Sequence, residues 1–144
     1  MYISEQLVEM IERSADELAR RWLEDVRTRP ETPTYHTFDP DALLQRVALV
    51  YSQLGRWISR ETTQEEIEAY YVSLGSRRRK EGFALSEVMW ALVITRRRIW
   101  HKVLFDGLLD TPLELNQALE LNNRVVLFFD KAAYFLCKGY EKDD

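Results

Sequence analysis

Tyr70–Trp100 reads YYVSLGSRRRKEGFALSEVMWALVITRRRIW, and two helices joined through a glycine turn account for it. Ile67, Tyr70, Tyr71 and Leu74 recur at steps of three and four, the spacing of one helix face, and Arg78 continues that stripe. The basic run Arg77–Lys80 suits the negative end of a helix dipole, and Gly82 after it suits the left-handed cap that ends many helices. Beyond the turn, Leu85, Val88, Met89, Leu92, Ile99 and Val103 form a second stripe, interrupted by Arg96. Trp90, Ile94, His101 and Phe105 line nearly the opposite face. A helix apolar on two sides is either central in a bundle or gives one face to an oligomer. Gly75 and Gly82 are expected to serve structural turns.

Outward from this stretch the same period persists. Val8, Ile11, Ala15, Leu18, Ala19, Trp22 and Val26 predict a first helix from about Ser4 to Arg27, stopped by Pro30 and Pro33. Asp39-Pro40 pairs an N-cap acceptor with proline at the first helical position, so a second helix should run to about Ile58. Thr62 or Thr63 caps the third, with Glu65 and Glu66 near its positive end. Ser86 is the expected cap of the fourth helix, which reaches about Phe105. Asp110-Thr111-Pro112 opens a fifth that continues to Tyr140. No run has strand period. The expectation is an all-α, single-domain bundle of about five helices spanning residues 1–144, with a globin-like arrangement.

Composition narrows the function. The 144 residues carry a net charge of −4, which disfavours a general nucleic-acid binder, although residues 76–102 hold eight Lys or Arg against two Glu. One cysteine, Cys137, excludes an internal disulfide and fits a reducing compartment. The N-terminal segment lacks the pattern of a secretory signal, and no apolar run approaches the roughly 18 residues of a membrane span. A cytoplasmic protein with no membrane span and no nucleic-acid partner is expected.

Catalytic patterns are lacking: the chain has two histidines and no HExxH, CxxC, GxSxG, GxGxxG or Walker motif. A non-enzyme is expected, with no cofactor. His101, near Trp90, Ile94 and Phe105, is the one candidate axial ligand should the domain hold a haem. Arg78 and Arg96 fall on apolar sides, where an unpaired guanidinium costs several kcal/mol, so each needs an acid, carbonyls or an anion. Two readings stay open. Either Glu81, Glu87 or Asp130 serves as the internal acceptor, or Arg78, Arg96, Tyr71 and His101 line a ligand or anion site between the third and fourth helices.

Five elements in order carry a resemblance: LARRWLEDVR (Leu18–Arg27), Tyr-x-x-Leu-Gly-x-x-Arg (Tyr71–Arg78), Gly-Phe-x-Leu-x-Glu (Gly82–Glu87), Arg-x-x-x-Trp (Arg96–Trp100) and Phe-Phe-Asp-x-Ala (Phe128–Ala132). With these the chain resembles the helical N-terminal domain of the RsbRD family, found in RsbT co-antagonist proteins of bacterial stress signalling. The resemblance implies a non-enzymatic sensory or regulatory domain, normally placed before an output domain. Only Glu-Lys-Asp-Asp follows Tyr140, so the chain is expected to be a stand-alone member or a domain excised from a larger signalling protein. Function is expected through contacts with a protein partner, with homodimerisation through an apolar face of the fourth or fifth helix. The alternative is a sensor that binds a small molecule, an anion or haem.

Overall fold

The computed structural model describes residues 2–107 and 109–142, with Met1, Leu108, Asp143 and Asp144 outside them. Among the described residues seven α-helices follow one another: α1 (Tyr2–Arg13), α2 (Ala15–Thr28), α3 (Pro40–Ser52), α4 (Leu54–Ile58), α5 (Gln64–Lys80), α6 (Leu85–Asp106) and α7 (Pro112–Tyr140). A 3-10 turn, Pro33–His36, bridges α2 and α3. There is no strand among the described residues, and none of their helices is long and apolar enough to cross a membrane. The all-α class stands, but the count of about five helices is corrected to seven.

Both extra breaks come from backbone accommodation at polar residues. At Ser14 the backbone leaves helical geometry, and its N–H is shared between Met10 O and Ile11 O at 3.1 and 3.0 Å. At Gln53 the chain turns again, and the Gly55 amide of the new helix donates to the Glu12 carboxylate at 2.9 Å. A freed amide at a helix start needs such an acceptor. Here α1 supplies it from 43 positions away.

The expected caps are otherwise in place. Asp39 accepts from Asp41 N ahead of Pro40. Thr63 with Glu66, and Thr111 with Glu114, form reciprocal capping boxes. The start of α6 differs from expectation: Ala84, not Ser86, is the N-cap, and the Glu87 carboxylate accepts from Ala84 N at 3.0 Å. Gly82 has φ +96°, Phe83 N donates to Arg78 O and Gly82 N to Arg79 O, which together make a left-handed cap of the Schellman type.

The core gathers one face of every helix. Ile11, Val26, Tyr51, Leu54, Leu121 and Leu136 are among its fully buried side chains. Trp22 donates its indole N–H to Ala91 O at 3.2 Å, and Tyr51 its hydroxyl to Thr95 O at 3.2 Å, so α2 and α3 are both tied to the middle of α6. Arg98 closes the same contact by binding Asp25 with Nη2 at 2.6 Å and Nε at 2.8 Å.

The placement of α5 is unusual. It packs intimately on α7, where Gly75 and Gly139 let the backbones meet: a Cβ on Gly75 would lie 2.2 Å from Leu136 O, and one on Gly139 2.2 Å from Val72 O. Gly75 is therefore a helix-crossing residue inside α5, not a turn residue as expected. Its Cα hydrogens occupy space that no other side chain fits. Close backbone approaches between α5 and either α3 or α6 are few. The space left between them is the feature that shapes the candidate site.

Candidate functional site

Because α5 is held by α7 and stands off from α3 and α6, a cavity of about 280 Å³ opens between α2, α3, α5 and α6. Its walls are apolar, with Val47 and Val50 from α3, Leu74 from α5, and Ala91 and Leu92 from α6. Tyr35, from the 3-10 turn, and Tyr71 also line it and are buried. Leu49 and Tyr70, the more exposed members of the lining, mark its mouth.

One end is charged. Arg46 (α3), Arg77 and Arg78 (α5) and Glu81, just past α5, line it together. Glu81 binds Arg46 through two parallel hydrogen bonds, 2.7 Å from Nη2 and 3.1 Å from Nη1, and accepts a third from Arg78 Nη1 at 2.9 Å. Paired N–H donors on one carboxylate are the strong form of this interaction. Three arginines nevertheless face one glutamate. The Arg78 side chain is only 12% exposed; burial and the neighbouring Arg46 charge lower its pKa, and Glu81 opposes the shift. Burial would raise the Glu81 pKa, but the hydrogen bond from Arg46 and the charges of both arginines outweigh it and leave the group below its ordinary value. Burial raises the pKa of the Tyr35 hydroxyl, which stays a proton donor at neutral pH.

The four residues singled out from sequence do not form one site. Arg78 and Tyr71 line the cavity; Arg96 and His101 do not. Arg96 is only half-buried, because Ala91, Thr95 and Ile99 hold the inward face of α6 and leave position 96 on its flank. His101 is exposed beside the Phe105 ring, 6.4 Å between centroids. Of the acceptors considered for the arginines, Glu81 takes Arg78. Asp130 is exposed, and Glu87 is engaged elsewhere. Buried at 5% exposure, Glu87 accepts from Thr34 N (2.6 Å), Thr34 Oγ1 (2.7 Å) and Ala84 N, which fastens the 3-10 turn to α6. Sequence reasoning missed Arg46 and Tyr35. The available signal for Arg46 was its place among Leu43, Leu44, Val47 and Val50, a cation beside the core stripe of its helix.

Two further arginines of the basic clusters are engaged within the fold. Arg79 donates to Tyr140 O and Lys142 O at 3.0 and 2.7 Å, which closes the end of α7, and Arg98 pairs with Asp25. Among the described residues, no three His, Cys, Asp or Glu side chains gather in a way that could hold a metal ion. Cys137 is partly buried, with its sulfur 3.9 Å from that of Met89.

No curated protein and no solved structure matches the chain. One family profile does: the RsbT co-antagonist protein rsbRD N-terminal domain, over residues 16–143. That span runs from the start of α2 past the end of α7 and takes in every cavity-lining residue named above. It also contains all five motifs that carried the resemblance, so the chain belongs to the RsbRD N-terminal domain family, a regulatory family of bacterial stress signalling.

Proposed function

We propose that this chain is a non-enzymatic sensory or regulatory domain that acts in the cytoplasm through protein–protein contacts, alone or within a larger signalling protein, and that it pairs with a second copy of itself. The observation that carries this reading is the outer face of α7. Asn116, Leu119, Asn123, Leu127, Asp130 and Tyr134 follow one another at steps of three and four, and Leu119, Leu127 and Tyr134 are 49%, 54% and 57% exposed. Leu104 and Phe105 at the end of α6, and Leu113 and Leu115 at the start of α7, are also exposed, Phe105 at 81%. So many large apolar side chains facing water on adjoining elements mark an interaction surface.

Engagement of Arg78, Arg79 and Arg98 within the fold supports the absence of a nucleic-acid partner, since phosphate binding draws on several free cations acting together. The globin-like arrangement belongs to the same reading, supported by the all-helical class and by a cavity that opens between helices. A photo-crosslinking residue placed at Leu127 in living cells should give discrete protein adducts, while the same residue at exposed Glu65 on α5 should not. Equal adduct formation at the two positions would overturn the reading.

A further inference from the structure

The charged end of the cavity is under-supplied with acceptors. Arg78 has a guanidinium with five N–H donors, and among the described residues only Nη1 is bonded, to Glu81. Glu81 already shares its two oxygens between Arg78 and both terminal nitrogens of Arg46. Tyr35 is 4% exposed, lines the same cavity, and its hydroxyl has no hydrogen-bond partner among the described residues. Neither the Tyr35 hydroxyl nor the free nitrogens of Arg78 are among the sealed, unpartnered polar atoms of the described residues, so they are open to solvent and available to an incoming acceptor. What this end lacks is a group that accepts hydrogen bonds and carries negative charge.

The rest of the cavity sets the body of such a ligand. Val47, Val50, Leu74, Ala91 and Leu92 offer no polar side-chain atom, so a compact anion such as inorganic phosphate would leave them facing empty space. About 280 Å³ is the space of roughly nine water-sized groups, at ~30 Å³ each, and lies just under the usual range of small-molecule pockets, ~300–1,000 Å³. An unbranched chain of eight to ten carbons is of that order.

We propose that this cavity binds a medium-chain monocarboxylate, its head on the free edge of Arg78 and on the Tyr35 hydroxyl, beside Arg46, and its apolar tail between α3, α5 and α6. A carboxylate is the matching head because it is planar, accepts only, and fits the guanidinium fork. The tail touches α3 and α6 on one side and α5 on the other, so an occupant would link α5 to helices from which it otherwise stands apart. The inference does not depend on the outer face of α7, and the assay below reads nothing of that face.

Titration calorimetry of the purified chain with decanoate, 1-decanol, decylammonium and inorganic phosphate tests it. Decanoate should bind one site, at least about tenfold more tightly than the other three probes, a difference of about 1.4 kcal/mol. Arg78→Met should weaken decanoate about tenfold or more and leave decanol unchanged. Arg46→Gln, at a side chain one-third exposed and therefore safe for folding, should weaken decanoate in the same direction. Leu92→Trp, which fills the cavity, should abolish binding with the helical circular-dichroism spectrum intact. Decanoate binding no tighter than decanol, binding by phosphate alone, no saturation by about 1 mM decanoate, or undiminished binding in both arginine variants would each overturn the proposal.

Discussion

Glu81 lies three residues past Arg78 and meets Arg46 from another helix, so one carboxylate holds two guanidiniums at the rim of the cavity. Its folded pKa lies below the ordinary carboxylate value. A depressed carboxylate stabilises the fold at every pH above its unfolded pKa, about 4.3, and loses that contribution as pH falls through the lower folded value. Glu81→Gln should therefore cost about 1 kcal/mol at pH 7 and progressively less as pH falls below the unfolded pKa, a narrowing that urea melts across that range would reveal. A constant gap would contradict the pairing. Glu87 acts differently, since it is buried and bonded to two groups of Thr34. Glu87→Ala strands those donors and should cost about 2–4 kcal/mol, read as a lowered urea midpoint with unchanged slope. Legibility was uneven at this scale. Arg78 was visible because it extends a helical stripe into the core. Arg46 was less so: it sits beside the core stripe of α3, but its partner lies 35 positions away and no local spacing points to it. Arg96 interrupts a stripe just as Arg78 extends one, yet the two-sided apolarity of α6 left the inward face undecided, and packing turned residue 96 to the flank.

Among the elements, α5 has the most demanding geometry, since a pair of glycines sets its distance from α7 and a third sets its end. Gly75→Ala would drive a Cβ to 2.2 Å from Leu136 O, a clash with backbone that only separation of the two helices relieves. A loss of about 1–3 kcal/mol is expected, and with it weaker amide protection along α5 in hydrogen exchange. Gly82→Ala meets nothing within 4 Å, so its cost is conformational alone, about 1–2 kcal/mol for a left-handed alanine, with protection along α5 preserved away from its last turn. The contrast separates a packing glycine from a cap glycine. Helix starts at Pro40, Gln64 and Pro112 and the end at Gly82 were legible because caps and prolines are local chemistry. The breaks at Ser14 and Gln53 were not: neither position carries glycine or proline, and the acceptor that steadies α4 is Glu12 of α1. Gly75 looked like a turn residue because what makes it necessary, the backbone of α7, is distant in sequence.

For the whole molecule, one apolar core ties α2, α3 and α6 together, α5 rides on α7, and the outward side of α7 carries large apolar residues. The all-α class and the family could be read from residue order alone, whereas the cavity depends on which helices stand apart and has no signature in any single stretch. On the proposed reading, the exposed α6–α7 surface is where a second copy docks. Sedimentation velocity across the micromolar range, on the wild-type chain and on Leu119→Glu/Leu127→Glu, tests it most directly. Both substituted side chains are about half exposed, so the monomer fold should tolerate the change. The wild type should sediment as a dimer, and the double variant as a monomer with the same helical circular-dichroism spectrum. A wild type that remains monomeric throughout the range, or a double variant that dimerises as well as the wild type, would contradict it.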